Sequence, residues 1–279
     1  MGGFYWIASY PKSGNTWMRL LLASLIDGGA PLDFSRPVGF APSAASPSDM
    51  DLFLDVESSE LTPVEQTELR HDLALAVAAA TAEPQYRKVH DRWGHSPSGR
   101  PLFPPAATLG SIYLVRDPRD VAVSWAHHSG TTLDEAIDFL GRPGAVVAAA
   151  GKWRDQFEQR VDSWSAHVAS WLAAEPVPLV VAYEALSADP LRVLAQVAIH
   201  CGLSASADTL AGAVEATRFA RLQQQERIDG FELGQKAGRR FFRRGIAGGW
   251  RDTLSHAQAN RIVRDHGAMM ERLAYDTGV

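Results

Sequence analysis

The chain has 279 residues, of which 46% are hydrophobic and 21% are charged, and its formal net charge is −5. These proportions exclude intrinsic disorder, a collagen-like repeat and a small disulfide scaffold, because a chain of this length can bury an extensive core. The acidic balance also excludes a global positive field that would recruit nucleic acid or an anionic membrane. We expect one domain over residues 1–279, without nucleic-acid or membrane partners.

The cysteine content and the length of the apolar runs indicate the cellular compartment. Cys201 is the one cysteine; it lies in the apolar stretch 197–203, which predicts a packed thiol. One cysteine forms no internal disulfide, so the chain does not require an oxidising compartment. The chain starts without the basic segment of a secretory signal, and its longest apolar runs, such as residues 73–82, are too short to cross a bilayer. We expect a cytoplasmic protein.

The first predicted elements flank a polar turn. Residues 5–9 form a short apolar run typical of a buried strand, and apolar residues recur at helical spacing over residues 18–27. Gly28 and Gly29 end this helix. Residues 30–60 are rich in Ser, Pro and Ala with weak periodicity, which predicts a long loop.

Capping signals mark the elements that follow. Thr62-Pro63-Val64-Glu65 is a capping box with Pro at the first helical position, which predicts a helix to about residue 83. Residues 86–90 and 111–116 are typical of buried strands, and Asp117-Pro118 begins a helix through Trp125. A second capping box lies at residues 132–135.

The rest of the chain continues the alternation of strand and helix. Val161, Trp164, Val168 and Trp171 recur at spacings of three and four within residues 155–174, which predicts a helix with a core-facing stripe. Residues 179–183 form another apolar strand, and Asp189-Pro190 begins a helix. Such alternation predicts the α/β class: a single domain with a central parallel sheet flanked by helices on both faces.

The turn between the first strand and helix is typical of an anion-binding loop. It reads Pro11-Lys12-Ser13-Gly14-Asn15-Thr16. Gly14 lets a ligand approach the backbone, and the helix N-terminus favours negative charge. Lys12 adds a positive charge, while the Ser13 and Thr16 hydroxyls add donors. A Walker A loop is excluded, because it places Lys directly after its second Gly.

A second cluster follows the predicted strand at residues 111–116. Arg116 ends this strand and is predicted to place its guanidinium beside the crevice where open α/β sheets bind ligands. Ser124 lies about two helical turns further on, so it could share an anion with Arg116. Asp117 and Asp120 are interpreted as cap and first-turn residues and not as catalytic carboxylates.

Six segments, in order along the chain, resemble the cytosolic-type sulfotransferases that use 3′-phosphoadenylyl sulfate (PAPS). They are Tyr10–Trp17, Arg116 with Ser124, Ser163–Trp171, Tyr183-Glu184, Thr217 with Phe219, and Arg243–Trp250. The resemblance implies a P-loop-like phosphosulfate-binding loop, PAPS as sulfuryl donor and PAP as product. The implied nucleotide-binding residues are Lys12, Ser13, Gly14, Asn15, Thr16, Trp17, Arg116, Ser124, Tyr183, Thr217, Phe219, Arg243, Arg244 and Gly245. No tryptophan in residues 30–60 is identified as the family's adenine-stacking residue.

The resemblance also implies the catalytic residues. Lys88-Val89-His90 resembles a Lys-Thr-His motif whose His is the general base. It implies in-line transfer to a small-molecule hydroxyl or amine, with His90 as base, Lys12 stabilising the leaving group and Lys88 acting on the sulfonate oxygens, without a metal. Residues 218–251, with nine basic residues against three acidic ones, concentrate positive charge where the nucleotide would lie.

The acceptor and the oligomeric state remain open. We expect residues 30–60, 90–105 and 225–240 to line the acceptor pocket, with Trp93 and Phe103 hinting at an aromatic or extended apolar acceptor. A phenol, sugar, lipid or peptide natural product all remain possible. The family's dimerisation signature is not matched where the chain reads Ser255-His256 and Asn260, so monomer and dimer both stay open.

Two other functions compete with this interpretation. A P-loop kinase or nucleotidase would use Mg²⁺ and ATP, but the chain lacks Gly-Lys-Ser/Thr and no apolar strand ends in a clear metal-binding Asp. A binding protein that holds the nucleotide without catalysis would be expected to lack the base, whereas Lys88 and His90 are both present. Only four of the 27 Lys and Arg residues are lysines, and two of them are Lys12 and Lys88.

Overall fold

Four parallel strands form the central sheet of the computed structural model, which describes residues 2–33, 40–148, 156–231 and 241–278. The strands are β1 (Phe4–Ser9), β2 (Gln85–Val89), β3 (Thr108–Val115), β4 (Val146–Val147), β5 (Gln159–Arg160) and β6 (Leu179–Ala182). The sheet order is β2-β1-β3-β6, while β4 and β5 form a separate antiparallel pair. β1 therefore lies between β2 and β3, and the three strands end at the same edge of the sheet.

Most of the described helices begin after a residue whose side chain caps their first turn. The helices are α1 (Asn15–Ile26), α2 (Pro47–Leu54), α3 (Pro63–Ala80), α4 (Pro118–Ser129), α5 (Leu133–Gly141), α6 (Trp164–Leu172), α7 (Tyr183–Ala188), α8 (Pro190–His200), α9 (Ala207–Ala216), α10 (Phe219–Asp229) and α11 (His256–Arg272). Short 3₁₀ turns occupy residues 58–60, 105–107 and 249–252. Thr62 and Thr132 both form the predicted capping boxes.

Helices cover both faces of the sheet. Ile7 and Ile112 point to a core shared with α1, α8 and α9, whereas Trp6 and Tyr113 point to a larger core shared with α3, α4, α6 and α11. This alternation of strand side chains between two buried faces is the physical basis of the α/β class, and the predicted class is confirmed. Among the described residues, no helix is both long and apolar enough to span a membrane.

The prediction of one long loop over residues 30–60 is wrong. Helix α2 and a 3₁₀ turn lie within it. The Ser46 hydroxyl accepts a hydrogen bond from the Asp49 amide at 3.2 Å, and Pro47 occupies the first helical position. The periodicity is weak because Met50 is the only buried residue of this eight-residue helix.

The predicted helix over residues 155–174 is shorter than expected. Residues 159–160 belong to β5, and α6 begins at Trp164, where the Ser163 hydroxyl caps the Ala166 amide at 3.3 Å. Asp162 has a left-handed backbone (φ 59°), which interrupts any helical path. All four stripe residues are nevertheless fully buried, as predicted.

Candidate active site

A cleft of about 550 Å³ opens at the carboxyl edge of the sheet, over the N-terminus of α1. Parallel strands and the loops that follow them bring distant parts of the chain together at this edge. Of the residues predicted from the sequence, the cleft is lined by Lys12, Gly14, Asn15, Thr16, Trp17, Lys88, His90, Arg116, Ser124, Tyr183, Phe219, Arg243, Arg244 and Gly245. The folding of the chain thus gathers 14 of the 16 predicted site residues around one space.

Gly14 shapes the loop between β1 and α1. Its φ is 98°, and a Cβ built on it would lie 2.8 Å from Cδ2 of Tyr183. Both facts require glycine at this position. Gly14 is the N-cap of α1 and has no side chain that could accept a hydrogen bond from the first-turn amides. The loop is therefore open to bind an anion at the positive end of the helix.

Two side chains of the loop are buried. Asn15 is buried, and its Nδ2 donates to the Ile7 carbonyl at 2.8 Å and to Ser9 Oγ at 3.3 Å. It therefore ties the loop to β1. Ser13 is fully buried with an unpartnered hydroxyl and does not line the cleft, so the predicted role of this hydroxyl as a ligand donor is not supported by its position.

Lys12 and Arg116 bring positive charge to the loop. Lys12 has a left-handed backbone (φ 70°), and its Nζ lies 4.8 Å from the centroid of the Phe241 ring. Burial and the neighbouring Arg116 lower the pKa of Lys12 to about 8. Arg116 donates to the carbonyls of Lys12 and Ile246 at 3.3 and 3.0 Å, and its guanidinium stacks over Tyr183. Arg116 thus contacts three segments that line the cleft, those of Lys12, Tyr183 and Ile246.

His90 is held as a neutral imidazole. Its Nδ1 donates to the Ser9 carbonyl at 2.9 Å, which leaves Nε2 as the ring acceptor. Burial, and then the Lys88 ammonium, lower the pKa of His90 well below its usual value. Gln159 Oε1 accepts from the His90 amide at 3.1 Å, and His167 Nε2 donates to the His90 carbonyl at 3.1 Å. These bonds fix the imidazole and its backbone from both sides.

Gln156 organises the side chains beside His90. Its Oε1 accepts from Lys88 Nζ at 3.2 Å, from Ser43 Oγ at 3.1 Å and from Gln159 Nε2 at 3.0 Å. Burial, followed by Arg19 and Lys12, lowers the pKa of Lys88 to about 8. We call Lys88, His90, Gln156 and Gln159 the His90 end of the cleft. No sequence motif marks the two glutamines, because their contacts with Lys88 and His90 join residues that are 68 and 69 positions apart in the chain.

The segment 241–250 is fastened to the cleft by two buried carboxylates. Asp120 accepts from the amides of Gly248 and Trp250 at 2.6 and 2.9 Å. Glu226 accepts from the amides of Phe241 and Phe242 at 2.6 and 3.1 Å. Asp117, in contrast, caps α4 by accepting from the Arg119 amide, so Asp117 and Asp120 are the cap and first-turn residues predicted from the sequence.

The aromatic residues expected at the acceptor pocket lie elsewhere. Trp93 and Phe103 stack with ring centroids 4.8 Å apart and pack on Trp171 in the core, so their predicted role as pocket lining is wrong. Burying three large rings together removes apolar area from water. The cleft wall also contains residues that sequence reasoning missed, namely Arg19, Val123, Trp125, His128, Val147, Ala148, Gln156, Gln159, Phe241 and Phe242.

Thr217 also lies outside the lining of the cleft. Its hydroxyl is buried and donates to the Ala213 carbonyl at 2.9 Å, at the end of α9. Phe219 follows two residues later and does line the cleft. The predicted direct contact of the Thr217 hydroxyl with a ligand is therefore not supported by its position. Within the ranges that the structure describes, no three His, Cys, Asp or Glu side chains cluster closely enough to hold a metal ion.

The fold and the cleft together define a class of protein. An open parallel sheet with a phosphate-type loop, a basic rim and a neutral histidine at its carboxyl edge is typical of enzymes that transfer an anionic group from a nucleotide. A family model described as "Sulfotransferase domain" matches residues 5–274. The chain belongs to the sulfotransferase family, and the identification made from its motifs is confirmed.

Named relatives are similar over most of the chain. The chain is 25% identical to Sulfotransferase 1A1 of Bos taurus, covering 94% of this chain and 81% of the relative. It is 23% identical to Sulfotransferase 2A6 of Rattus norvegicus, covering 91% and 79%.

Solved structures share the fold. Mouse sulfotransferase SULT7A1 complexed with PAP aligns with a TM-score of 0.62 and 19% identity over 98% of this chain and 86% of that chain. Retinol dehydratase in complex with androsterone and inactive cofactor PAP aligns with a TM-score of 0.62 and 20% identity over 98% and 81%.

Proposed function

We propose that this protein transfers the sulfuryl group of PAPS to a hydroxyl or amine of a small-molecule acceptor. The observation that carries the proposal is that a neutral, oriented His90 and the Lys12 loop line the same cleft. Membership of the sulfotransferase family and the PAP bound in the two solved relatives support PAPS as the donor. A cytoplasmic location remains part of the proposal.

The cleft suits an anionic nucleotide. Lys12, Arg243 and Arg244 line it without an ion pair to any carboxylate in the described ranges, so their positive charge favours an anionic ligand. In this proposal Lys12, Thr16 and the first-turn amides of α1 hold the 5′ end of the nucleotide. Arg116, Ser124, Arg243, Arg244 and Gly245 would bind its 3′-phosphate.

The adenine would lie between aromatic side chains. Trp17, Tyr183 and Phe219 line the cleft, and Trp17 meets Tyr183 edge-on with ring centroids 5.9 Å apart. We propose Trp17 as the aromatic partner opposite Phe219, which the sequence left unassigned. Ser13 would contribute through its backbone, and Thr217 by ending α9 just before Phe219.

The chemistry follows from three groups. His90 Nε2 removes the acceptor proton while the new bond from the acceptor to sulfur forms. The bond from sulfur to the bridging oxygen breaks, and that oxygen leaves with the nucleotide. Lys12 and the loop amides stabilise the negative charge that grows on this oxygen, and Lys88 stabilises the sulfonate oxygens. A preorganised donor of this kind contributes roughly 3–4 kcal/mol.

Radiolabelled PAPS with a panel of phenols, sugars, hydroxylated lipids and amines tests the activity. We expect transfer to at least one acceptor, and the His90→Ala variant should lose about two to four orders of magnitude in turnover because it lacks the base. Its affinity for PAP should stay near that of the wild type. His95→Ala, at an exposed position, is the matched control. Near-normal turnover of His90→Ala would contradict the role of His90.

Thermal-shift measurements separate the two competing functions. PAP should raise the melting temperature, whereas ATP with Mg²⁺ should raise it much less. The reverse order would favour a kinase. In a kinase we expect a metal-binding carboxylate at the end of β3, whereas Arg116 follows this strand. Tight PAP binding without transfer to any acceptor would favour a nucleotide-binding protein.

A further inference from the structure

Arg19 is a buried cation that the proposed reaction does not use. It lies in the second turn of α1, is 5% exposed and lines the cleft. One guanidinium nitrogen, Nη2, donates to the Phe40 carbonyl at 3.0 Å, while Nε is buried with no hydrogen-bond partner. No carboxylate in the described ranges forms an ion pair with it. Burying a charged guanidinium in this state is costly unless an anion completes the site.

Arg19 lies near the His90 end of the cleft, because Phe40, whose carbonyl it binds, is two residues before Pro42, and the Pro42 carbonyl accepts from the Lys88 amide at 2.9 Å. The positive charge of Arg19 contributes to lowering the pKa of both Lys88 and His90. The pKa of Lys12 is lowered instead by burial and by Arg116. Arg19 therefore lies near Lys88 and the proposed base. Lys12, whose charge also lowers the pKa of Lys88, and Arg116 belong to the loop that would hold the nucleotide.

The four residues of the His90 end, all among those that the structure describes, include no carboxylate. Lys88 is cationic, and Gln156 turns its oxygen toward Lys88, Ser43 and Gln159. Asp120 and Glu226, the buried carboxylates around the cleft, are occupied by backbone amides of the segment 241–250. An arginine presents a planar fork that matches a carboxylate with two parallel hydrogen bonds. An oxyanion of a ligand would therefore be a suitable partner for the Arg19 guanidinium.

We propose that Arg19 is a specificity-determining residue that binds a carboxylate carried by the acceptor. This inference rests on the proposed sulfuryl transfer and deepens it. The preferred acceptors would be hydroxy acids, whose hydroxyl is presented to His90 while the carboxylate pairs with Arg19. The Phe40 carbonyl bond positions the guanidinium before the acceptor arrives.

Calorimetric titration of the PAP-saturated protein tests this directly. The probes are matched pairs, each a hydroxy acid and its amide: 4-hydroxybenzoate with 4-hydroxybenzamide, 4-hydroxyphenylacetate with its amide, and gluconate with gluconamide. We expect the wild type to bind at least one carboxylate about tenfold more tightly than its amide, because a charge-assisted pair is stronger than a neutral one. Arg19→Gln should abolish that preference, and Arg19→Lys should retain part of it.

A matched control and the affinity for PAP complete the design. Arg218→Gln removes a positive charge at an exposed site paired with Glu215, and it should leave the carboxylate preference unchanged. The proposal is wrong if no wild-type pair differs by more than about threefold, or if Arg19→Gln keeps the preference. A loss of PAP affinity in Arg19→Gln, with the preference retained, would assign Arg19 to the donor instead.

The design keeps this proposal separate from the activity itself. If Arg19→Gln does not fold, the wild-type preference and its reduction in Arg19→Lys decide the question. Failure of the wild type to bind PAP, or to transfer sulfate to any acceptor, would contradict the proposed function. A wild type that sulfates neutral acceptors as readily as hydroxy acids would overturn the role of Arg19 alone.

Discussion

Lys12 combines an unusual backbone with a buried charge. A left-handed φ at a non-glycine residue costs free energy, and it directs the ammonium between Phe241 and Arg116. The chain otherwise uses arginine in preference to lysine, with four lysines among its 27 Lys and Arg residues. A compact ammonium approaches a transferring group more closely than a planar guanidinium can. Shape, as well as charge, is therefore important at this position.

Replacing Lys12 by Arg tests this requirement. We expect Lys12→Arg to lower turnover by about 100-fold, because the longer planar group cannot occupy the place of the ammonium beside the leaving oxygen. Steady-state kinetics with PAPS measure the effect. Lys152→Arg, at a lysine with no assigned role, should be fully active. Full activity of Lys12→Arg would show that positive charge alone is sufficient.

Gly245 permits the close approach of Phe219. Its φ is 62°, and a Cβ at this position would overlap the Phe219 ring. We expect Gly245→Ala to weaken PAP binding by at least about tenfold, because the ring and the loop cannot keep their positions together. Gly202 also has a left-handed φ, of 65°, but open space surrounds the place of a Cβ. Gly202→Ala is therefore the control for backbone strain without a steric clash. Equal PAP affinity of the two variants would contradict this prediction.

Helix α4 connects the sheet to the segment 241–250. Asp117 caps its N-terminus, Asp120 binds the amides of Gly248 and Trp250, and Ser124 lines the cleft one turn later. Burial raises the pKa of Asp120, although Arg116 and the two amides favour its charged form. Helix α4 thus brings Ser124 and the segment 241–250 to the same cleft.

The Asp120→Asn variant tests this coupling. Asn keeps one acceptor oxygen but turns an amide donor toward a second backbone donor, so one hydrogen bond is lost. We expect PAP affinity to fall by about tenfold, measured by calorimetry, with a smaller loss of activity at saturating PAPS. Asp208→Asn removes the same charge from the exposed first turn of α9 and should have no effect. Unchanged PAP affinity would show that the loop is held without Asp120.

Buried histidines spread through the large core make the whole molecule sensitive to acid. Burial lowers the pKa of His167 to about 3 and that of His266 to about 4. His266 Nδ1 lies 2.8 Å from Ser165 Oγ, and His167 Nδ1 lies 2.9 Å from the Tyr113 hydroxyl. Both groups stay neutral in the folded protein at pH values where an unfolded chain already binds a proton.

The free energy of unfolding should therefore fall as the pH is lowered. Above a pH of about 6.5, neither histidine changes the free energy of unfolding with pH. Below it, each one lowers that free energy by about 1.4 kcal/mol per pH unit until its folded pKa is reached. For His266→Gln, we expect this slope between pH 6.5 and about 4 to shrink by that amount relative to the wild type. Urea unfolding at several pH values measures it. Equal slopes for the two proteins would contradict the prediction.

Much of the fold and the outline of the site were predictable from local patterns. Capping boxes, apolar runs and the Pro-Lys-Ser-Gly turn depend on residues within a few positions of one another, and each corresponds to an observed feature. Helix α2 was missed because one buried residue, Met50, is too few for a periodic signal. The Trp93 and Phe103 rings were misassigned because a sequence does not state which side of a loop faces the core.

The sequence by itself determined the alternating α/β order and predicted an anion-binding loop, because those depend on short spacings and on residue chemistry. Its resemblance to the sulfotransferases added the prediction that His90 is the base. Only the tertiary structure decided that Gln159 supports His90, that Asp120 holds the segment 241–250, and that Arg19 shares a cleft with Lys88 and has no ion pair with a carboxylate in the described part of the chain. These relations join residues separated by 69 to 130 positions. Such contacts form only when the sheet brings its strand ends to one edge, so no local pattern encodes them.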